Sequence, residues 1–135
     1  MNKDLTFIVP AAGKSSRFKN KKSKIFYIYK KKLILEHIID KCLVFSKNII
    51  IISNRKNLKK TKSIIKKKYN KLNITILIQE KPLGMGDAVY IGLQKVITRF
   101  TATIWADQIY VENETIKKTI IYFKKSKSLF TFPVF

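Results

Sequence analysis

Cysteine, histidine, glycine, acidic residues and long apolar runs are all scarce in this chain, and each scarcity narrows what it can be. A single cysteine, Cys42, excludes an internal disulfide. It falls in an apolar helical stretch, where a thiol packs as a small buried hydrophobe and does not serve as a nucleophile. The one histidine, His37, lies in the same stretch and is expected to pack or to face solvent. The longest aliphatic run, residues 49–52, is far too short to cross a bilayer. Residues 5–9, fenced by Asp4 and Pro10, are too short for the core of a signal peptide. A cytoplasmic protein with no membrane partner is therefore expected. With 4 glycines and 3 prolines there is no linker-like stretch, and no repeat is present. The 135 residues, 46% of them hydrophobic, suffice for one domain over 1–135 with a true core.

Acids number 8 against 29 basic residues, a formal charge of +21. That excess invites a nucleic-acid reading, but its make-up argues against one. Lysine supplies 26 of the 29, and Arg17, Arg55 and Arg99 are the only arginines. Proteins that grip phosphates or read guanine favour the planar arginine fork. The lysines, like the abundant isoleucine and asparagine, follow A/T-rich codons, and they are spread over several helix faces. Non-specific attraction to polyanions is expected at low salt; a specific nucleic-acid partner is not.

What is present is a regular alternation. Residues 5–9, 48–53, 74–79, 102–106 and 129–134 are continuous apolar runs, suited to parallel strands buried on both faces. Between them, residues 33–45, 57–69, 88–96 and 112–125 carry apolar side chains at helical spacing. The last of these begins with acids and ends in lysines, matching the helix dipole. Five strands alternating with four helical connections predict an α/β, Rossmann-like, three-layer, doubly wound and mostly parallel sheet. In such sheets ligands bind beyond the carboxyl ends of the strands, where Gly13, Arg17, Gln79 and Asp107 all fall.

Three segments at those strand ends carry chemistry. In Pro10-Ala11-Ala12-Gly13-Lys14-Ser15-Ser16-Arg17, small side chains and a glycine let a backbone approach a ligand closely. Arg17 and Lys24 add positive charge where an anion would sit. A tight strand-to-helix turn in any α/β protein uses similar residues, so both readings stay open. In the second segment, residues 79–89, Gly84 and Gly86 flank one residue before a helix and leave amides free for a base or a phosphate. Val89 stands where a dinucleotide fingerprint needs its third glycine, so that motif is excluded. In the third, Trp105-Ala106-Asp107, a carboxylate directly follows a buried strand. Such a place suits a hard cation carrying triphosphate oxygens, or simply the cap of a turn.

Taken in order and spacing, these segments, with Leu35-Glu36-His37-Ile38-Ile39-Asp40 between them, resemble the sugar-1-phosphate nucleotidyltransferases over nearly the whole chain. The likeness is nearest to the uridylyltransferase domain that makes UDP-N-acetylglucosamine. The opening Val-Pro-Ala-Ala-Gly is also similar to cytidylyltransferases of isoprenoid synthesis. The resemblance implies transfer of a nucleotidyl group from UTP or CTP to a sugar 1-phosphate, with release of pyrophosphate and Mg2+ as cofactor. It places Pro10, Ala11, Ala12 and Gly13 along the nucleoside, and Gln79, Gly84 and Met85 on the base. Trp105 and Ala106 join them on the nucleotide. Arg17 and Lys24 become the catalytic cations, on the outer phosphates and the α-phosphate, and Asp107 the magnesium ligand. Catalysis would then be alignment and charge neutralisation, with no covalent intermediate.

Three positions depart from the family pattern. Ser15 and Ala106 replace glycines, and Ser23 replaces a proline before the key lysine. Family members also run on past this length, so the resemblance implies a chain truncated after its fifth strand, without the sugar pocket or a second magnesium ligand. Three readings follow: the N-terminal part of a nucleotidyltransferase, a nucleotide-binding fragment without catalysis, and a small basic nucleic-acid-binding protein. No oligomeric state is implied.

Overall fold

The computed structural model describes residues 3–13 and 22–134. In chain order its elements are strand β1 (Leu5–Pro10), a short 3-10 turn (Lys24–Phe26), strands β2 (Ile28–Tyr29) and β3 (Lys32–Leu33), and helix α1 (Ile34–Leu43). Then follow β4 (Asn48–Ser53), α2 (Arg55–Lys68), β5 (Ile74–Ile78), α3 (Met85–Leu93), β6 (Phe100–Thr103) and α4 (Asn113–Lys125). Four strands form one parallel sheet in the order β5-β4-β1-β6, while β2 and β3 make a separate antiparallel hairpin. The expected α/β fold with a parallel sheet is the fold that forms.

Strands β1 and β4, in the middle of the sheet, are buried on both faces as their sequence demands, whereas the outer strands β5 and β6 are only half-buried, against the expectation for them. Leu5, Phe7 and Val9 of β1 enter one core with Ile49 and Ile51 of β4; Ile8 enters the other with Ile50 and Ile52. Helix α1 closes the first core with Leu35, Ile38, Ile39 and Cys42, helped by Ile116 of α4. Helix α3 closes the second with Ala88. The chain winds from β1 outward to β4 and β5, then returns to lay β6 on the other side of β1. A doubly wound sheet leaves its ligand crevice where the winding reverses, here between the ends of β1 and β6.

The Leu35–Asp40 stretch singled out in the sequence is structural. Glu36 accepts the Leu33 N–H at 2.8 Å and pairs with the Lys68 ammonium at 2.5 Å, so the start of α1 is tied to the end of α2. Asp40 accepts the Tyr69 hydroxyl at 2.9 Å and the Lys32 ammonium at 2.6 Å. His37 packs edge-on to Tyr29 and bonds its carbonyl at 2.7 Å. Cys42 is buried, and burial pushes its thiol pKa up, which keeps it protonated and inert.

The structure corrects several expected boundaries. Residues 129–134 form no strand: they have no ladder partner among the described residues, and Pro133 lacks an N–H to give one. Phe130 is 81% exposed there, so apolar content alone did not make a strand. The fourth large strand is residues 100–103, displaced from the expected 102–106. Helices α2 and α3 begin two and three residues early, so Gly86 lies in the first turn of α3 and not in a loop. The β2–β3 hairpin carried no sequence signal, because Lys30 and Lys31 take left-handed φ values of 43° and 67° where Asn-Gly is the common choice. No helix among the described residues is long and apolar enough to cross a membrane.

Gly92 sets the spacing between α3 and β1. A Cβ there would lie 2.8 Å from Cγ2 of Ile8, a fully buried side chain with nowhere to go. Gly92→Ala gains about 1 kcal/mol of helix propensity but adds overpacking of about 1–3 kcal/mol. A net loss of stability, read as a lower urea midpoint, is expected; an unchanged or higher midpoint would contradict this packing.

Candidate active site at the carboxyl edge of the sheet

The loop after β1 is pinned from its neighbour. Ala11 donates its N–H to Ile52 O at 2.8 Å, and Ala12 O accepts from Asn54 Nδ2 at 2.9 Å. Ala11 and Ala12 are buried and Gly13 is exposed at the rim. A Cβ on Gly13 would meet nothing within 4 Å, so the fold itself does not demand a glycine here. Such a demand would come from a ligand.

The second loop is organised by Gln79. Its backbone N–H continues the ladder to Ser53 O at 2.8 Å. Its side-chain Nε2 donates to Gly84 O at 2.9 Å and to Asp87 Oδ2 at 2.7 Å. Both partners are acceptors, so the amide orientation follows: both N–H groups are committed and Oε1 is what the side chain has left to offer. Gly84 has φ 96°, a left-handed conformation that favours glycine, and from it α3 starts at Met85.

The third loop carries the acid. Ile104 and Ala106 extend the pairing beyond β6, donating to Ile8 O at 3.1 Å and Pro10 O at 3.4 Å. Between and after these two buried residues, Trp105 and Asp107 are exposed. The Asp107 carboxylate stands 3.6 Å from Lys24 Nζ. Lys24 is held there by the 3-10 turn it opens, whose next residues, Ile25 and Phe26, are buried. The pair joins the loop after β6 to the segment before β2.

These loops enclose one cavity of about 490 Å3. Pro10, Ala11, Ala12 and Gly13 line it from β1; Gln79, Gly84 and Met85 from the second loop; Trp105, Ala106, Asp107 and Lys24 from the far side. Eleven of the twelve site residues expected from sequence are thus brought to one place. The twelfth, Arg17, lies outside the described residues. Ser53, Asn54, Arg55 and Glu80 brace the loops and were not expected. Only Asn54 had a usable signal, an amide between an apolar strand and a helix start.

Asp107 is the only acid among the described lining residues, and no cluster of three or more metal-ligating side chains occurs among them. One hard, accessible carboxylate fits a magnesium ion whose other ligands are phosphate oxygens and water. It does not fit an all-protein metal cage.

Comparison with known proteins places the chain in a family. Residues 7–135 match the family described as the MobA-like NTP transferase domain. The bifunctional protein GlmU of Buchnera aphidicola subsp. Acyrthosiphon pisum is 29% identical over 130 residues, covering 94% of this chain and 27% of its own length. GlmU of Buchnera aphidicola subsp. Schizaphis graminum is 30% identical over 128 residues, covering 93% and 27%. The chain therefore spans about a quarter of the length of these relatives. A Bacillus anthracis structure attributed to a glucose-1-phosphate thymidylyltransferase, in complex with sucrose, aligns with a TM-score of 0.80 at 19% identity. It covers 91% of this chain and 51% of that one. At that identity the likeness is one of fold.

Gln79→Glu puts a second carboxylate against Asp87 in place of a donor at 2.7 Å. Like charges cannot both ionise there without cost. Relative to the parent chain, the variant is expected to lose stability at pH 7 and to recover part of it near pH ~4.5, where the two carboxyls can share a proton. Urea midpoints at both pH values check this; a loss independent of pH would contradict it.

Proposed function

The chain belongs to the MobA-like NTP transferase domain family, and from that premise we propose that it binds UTP and serves transfer of the uridylyl group to a sugar 1-phosphate, with release of pyrophosphate. The observation that carries the reading is the meeting of Lys24 and Asp107 at 3.6 Å beside the small-residue segment Pro10 to Gly13. A cation for phosphate, an acid for magnesium and a closely approachable backbone are the parts that nucleotidyl transfer requires.

Each residue has work that follows from its surroundings. Gln79, with both N–H groups committed, has a carbonyl oxygen to offer the cavity it lines. At N3 uracil presents an N–H donor to such an acceptor and cytosine a lone pair; an oxygen facing that position supports UTP over CTP. Met85 and Trp105 are 41% and 45% exposed, apolar surface suited to the flat face of a base or ribose. Gly13 lets the triphosphate approach the backbone. Lys24 neutralises the α-phosphate as a sugar-phosphate oxygen forms its bond to phosphorus and the bond to pyrophosphate breaks on the opposite side. Arg17, outside the described residues, is assigned the departing phosphates on the sequence resemblance alone. The attacking phosphate is already ionised at neutral pH, so no side-chain base is needed. Bound with the triphosphate at Asp107, magnesium would supply further neutralisation of the leaving pyrophosphate.

Without ligand, Lys24 and Asp107 neutralise each other. Their side chains are 30% and 48% exposed, and ion pairs of that kind contribute little to stability. The pair can therefore exchange for lysine–phosphate and carboxylate–metal contacts at small cost.

Calorimetric titration with UTP, CTP, ATP and GTP in the presence of magnesium tests the proposal. UTP is expected to bind tightest. Arg17→Ala and Lys24→Ala should each weaken it about ten- to a hundredfold, the loss of one charged hydrogen-bonding partner. Lys67→Ala removes the same charge from the exposed face of α2 and should change affinity by less than about twofold. Equal binding of all four nucleotides, abolished by modest salt, would instead mark non-specific attraction to the lysines.

A further inference from the structure

We infer that Asn54 positions the nucleotide-facing backbone after β1; the inference rests on the nucleotide reading above. Asn54 sits at the turn from β4 into α2 and its side chain works in two directions. Oδ1 accepts the Asn57 N–H at 2.8 Å, which caps α2. Nδ2 donates to Ala12 O at 2.9 Å, which fastens the loop after β1 to that capped helix. A trans peptide directs its carbonyl and its N–H to opposite sides. Holding the Ala12 carbonyl on Asn54 therefore turns the Gly13 N–H away from Asn54. Gly13 lines the cavity and Asn54 does not. The side chain thus aims a backbone donor at the ligand from behind.

Neighbouring residues share the task. Ile52 O takes the Ala11 N–H, and Ser53 O takes the Gln79 N–H, both at 2.8 Å. Arg55 makes a two-pronged pair with Glu80 at 2.5 and 2.9 Å. Four consecutive residues, 52–55, therefore hold both of the loops that carry glycines to the cavity. Asn54 is the member whose side chain alone holds the Gly13 loop, so it can be altered without touching the ladder.

Asn54→Ser and Asn54→Asp separate the two roles. Either side chain can still cap α2, and neither can donate to Ala12 O: serine is too short, aspartate has no N–H. In the full chain, the amide protection of α2 is expected to stay as in the parent, while the urea midpoint falls only by the loss of the one bond to Ala12 O. The Gly13 amide signal in NMR should shift or broaden in both variants without any nucleotide. Affinity for UTP with magnesium should fall about tenfold in Asn54→Ser. Asn54→Asp should lose at least as much. Equal UTP binding by Asn54→Ser and the parent overturns this inference alone, whatever the Gly13 signal does. A parent chain that binds no UTP overturns both this inference and the nucleotide reading.

Discussion

Parallel pairing of β1 with β4 on one side and β6 on the other is the constraint from which the site follows. In-register parallel strands bring their carboxyl ends to a common edge, and here the pairing outlasts the strands themselves. Pro10 lies opposite Ile52, and beyond that register Ala11 still bonds Ile52 O, Ala106 still reaches Pro10 O, and Gln79 still bonds Ser53 O. Loops that leave this edge are therefore stiff at their roots and meet over one crevice. The burial of β1 on both faces makes the arrangement hard to deform. Gly92 removes the one side chain that would push α3 off Ile8.

Electrostatics then divides the molecule into general and particular charges. The lysine excess is spread over α2, α4 and the hairpin, where it attracts any polyanion and selects none. The eight acids are placed more narrowly. Glu36 and Asp40 knit α1 to α2 and β3, and Glu80 fastens the second loop to Arg55. Asp107 pairs with Lys24 on the far wall of the cavity. Selectivity for one anion over another has to come from that placement and from the Gln79 amide, since bulk charge offers none.

Much of this was legible in the sequence, for identifiable reasons. The runs 5–9 and 48–53 read as strands because they are buried on both faces, and their apolar residues are continuous. The cavity residues read as a set because topology alone sends the ends of parallel strands to one edge. The segment 129–134 misled because its composition resembles a strand, while strands depend on a partner that composition does not reveal. The Lys30-Lys31 turn was silent because lysine does not signal the left-handed conformations that the two-residue connection between β2 and β3 imposes. Asn54 was legible at most as the cap of α2; its reach to Ala12 and the Arg55–Glu80 pair were silent because they join residues 25 to 42 positions apart. Gln79 was legible as a site residue, but its two committed N–H groups, and hence the oxygen it presents, needed the geometry of Gly84 and Asp87.

Scarcity of glycine supplies the most direct measurement. The chain has four glycines: Gly13 and Gly84 line the cavity, Gly86 stands in the first turn of α3, and Gly92 is buried against Ile8. Backbone amide NMR of the nitrogen-labelled chain, titrated with UTP and magnesium at physiological salt, would follow all four. If the strand-end loops form one nucleotide site, the Gly13 and Gly84 signals move together along one saturating curve while Gly92 stays in place. Shifts confined to the lysine-bearing faces of α2 and α4, with Gly13 and Gly84 unmoved, would contradict a nucleotide site at this edge.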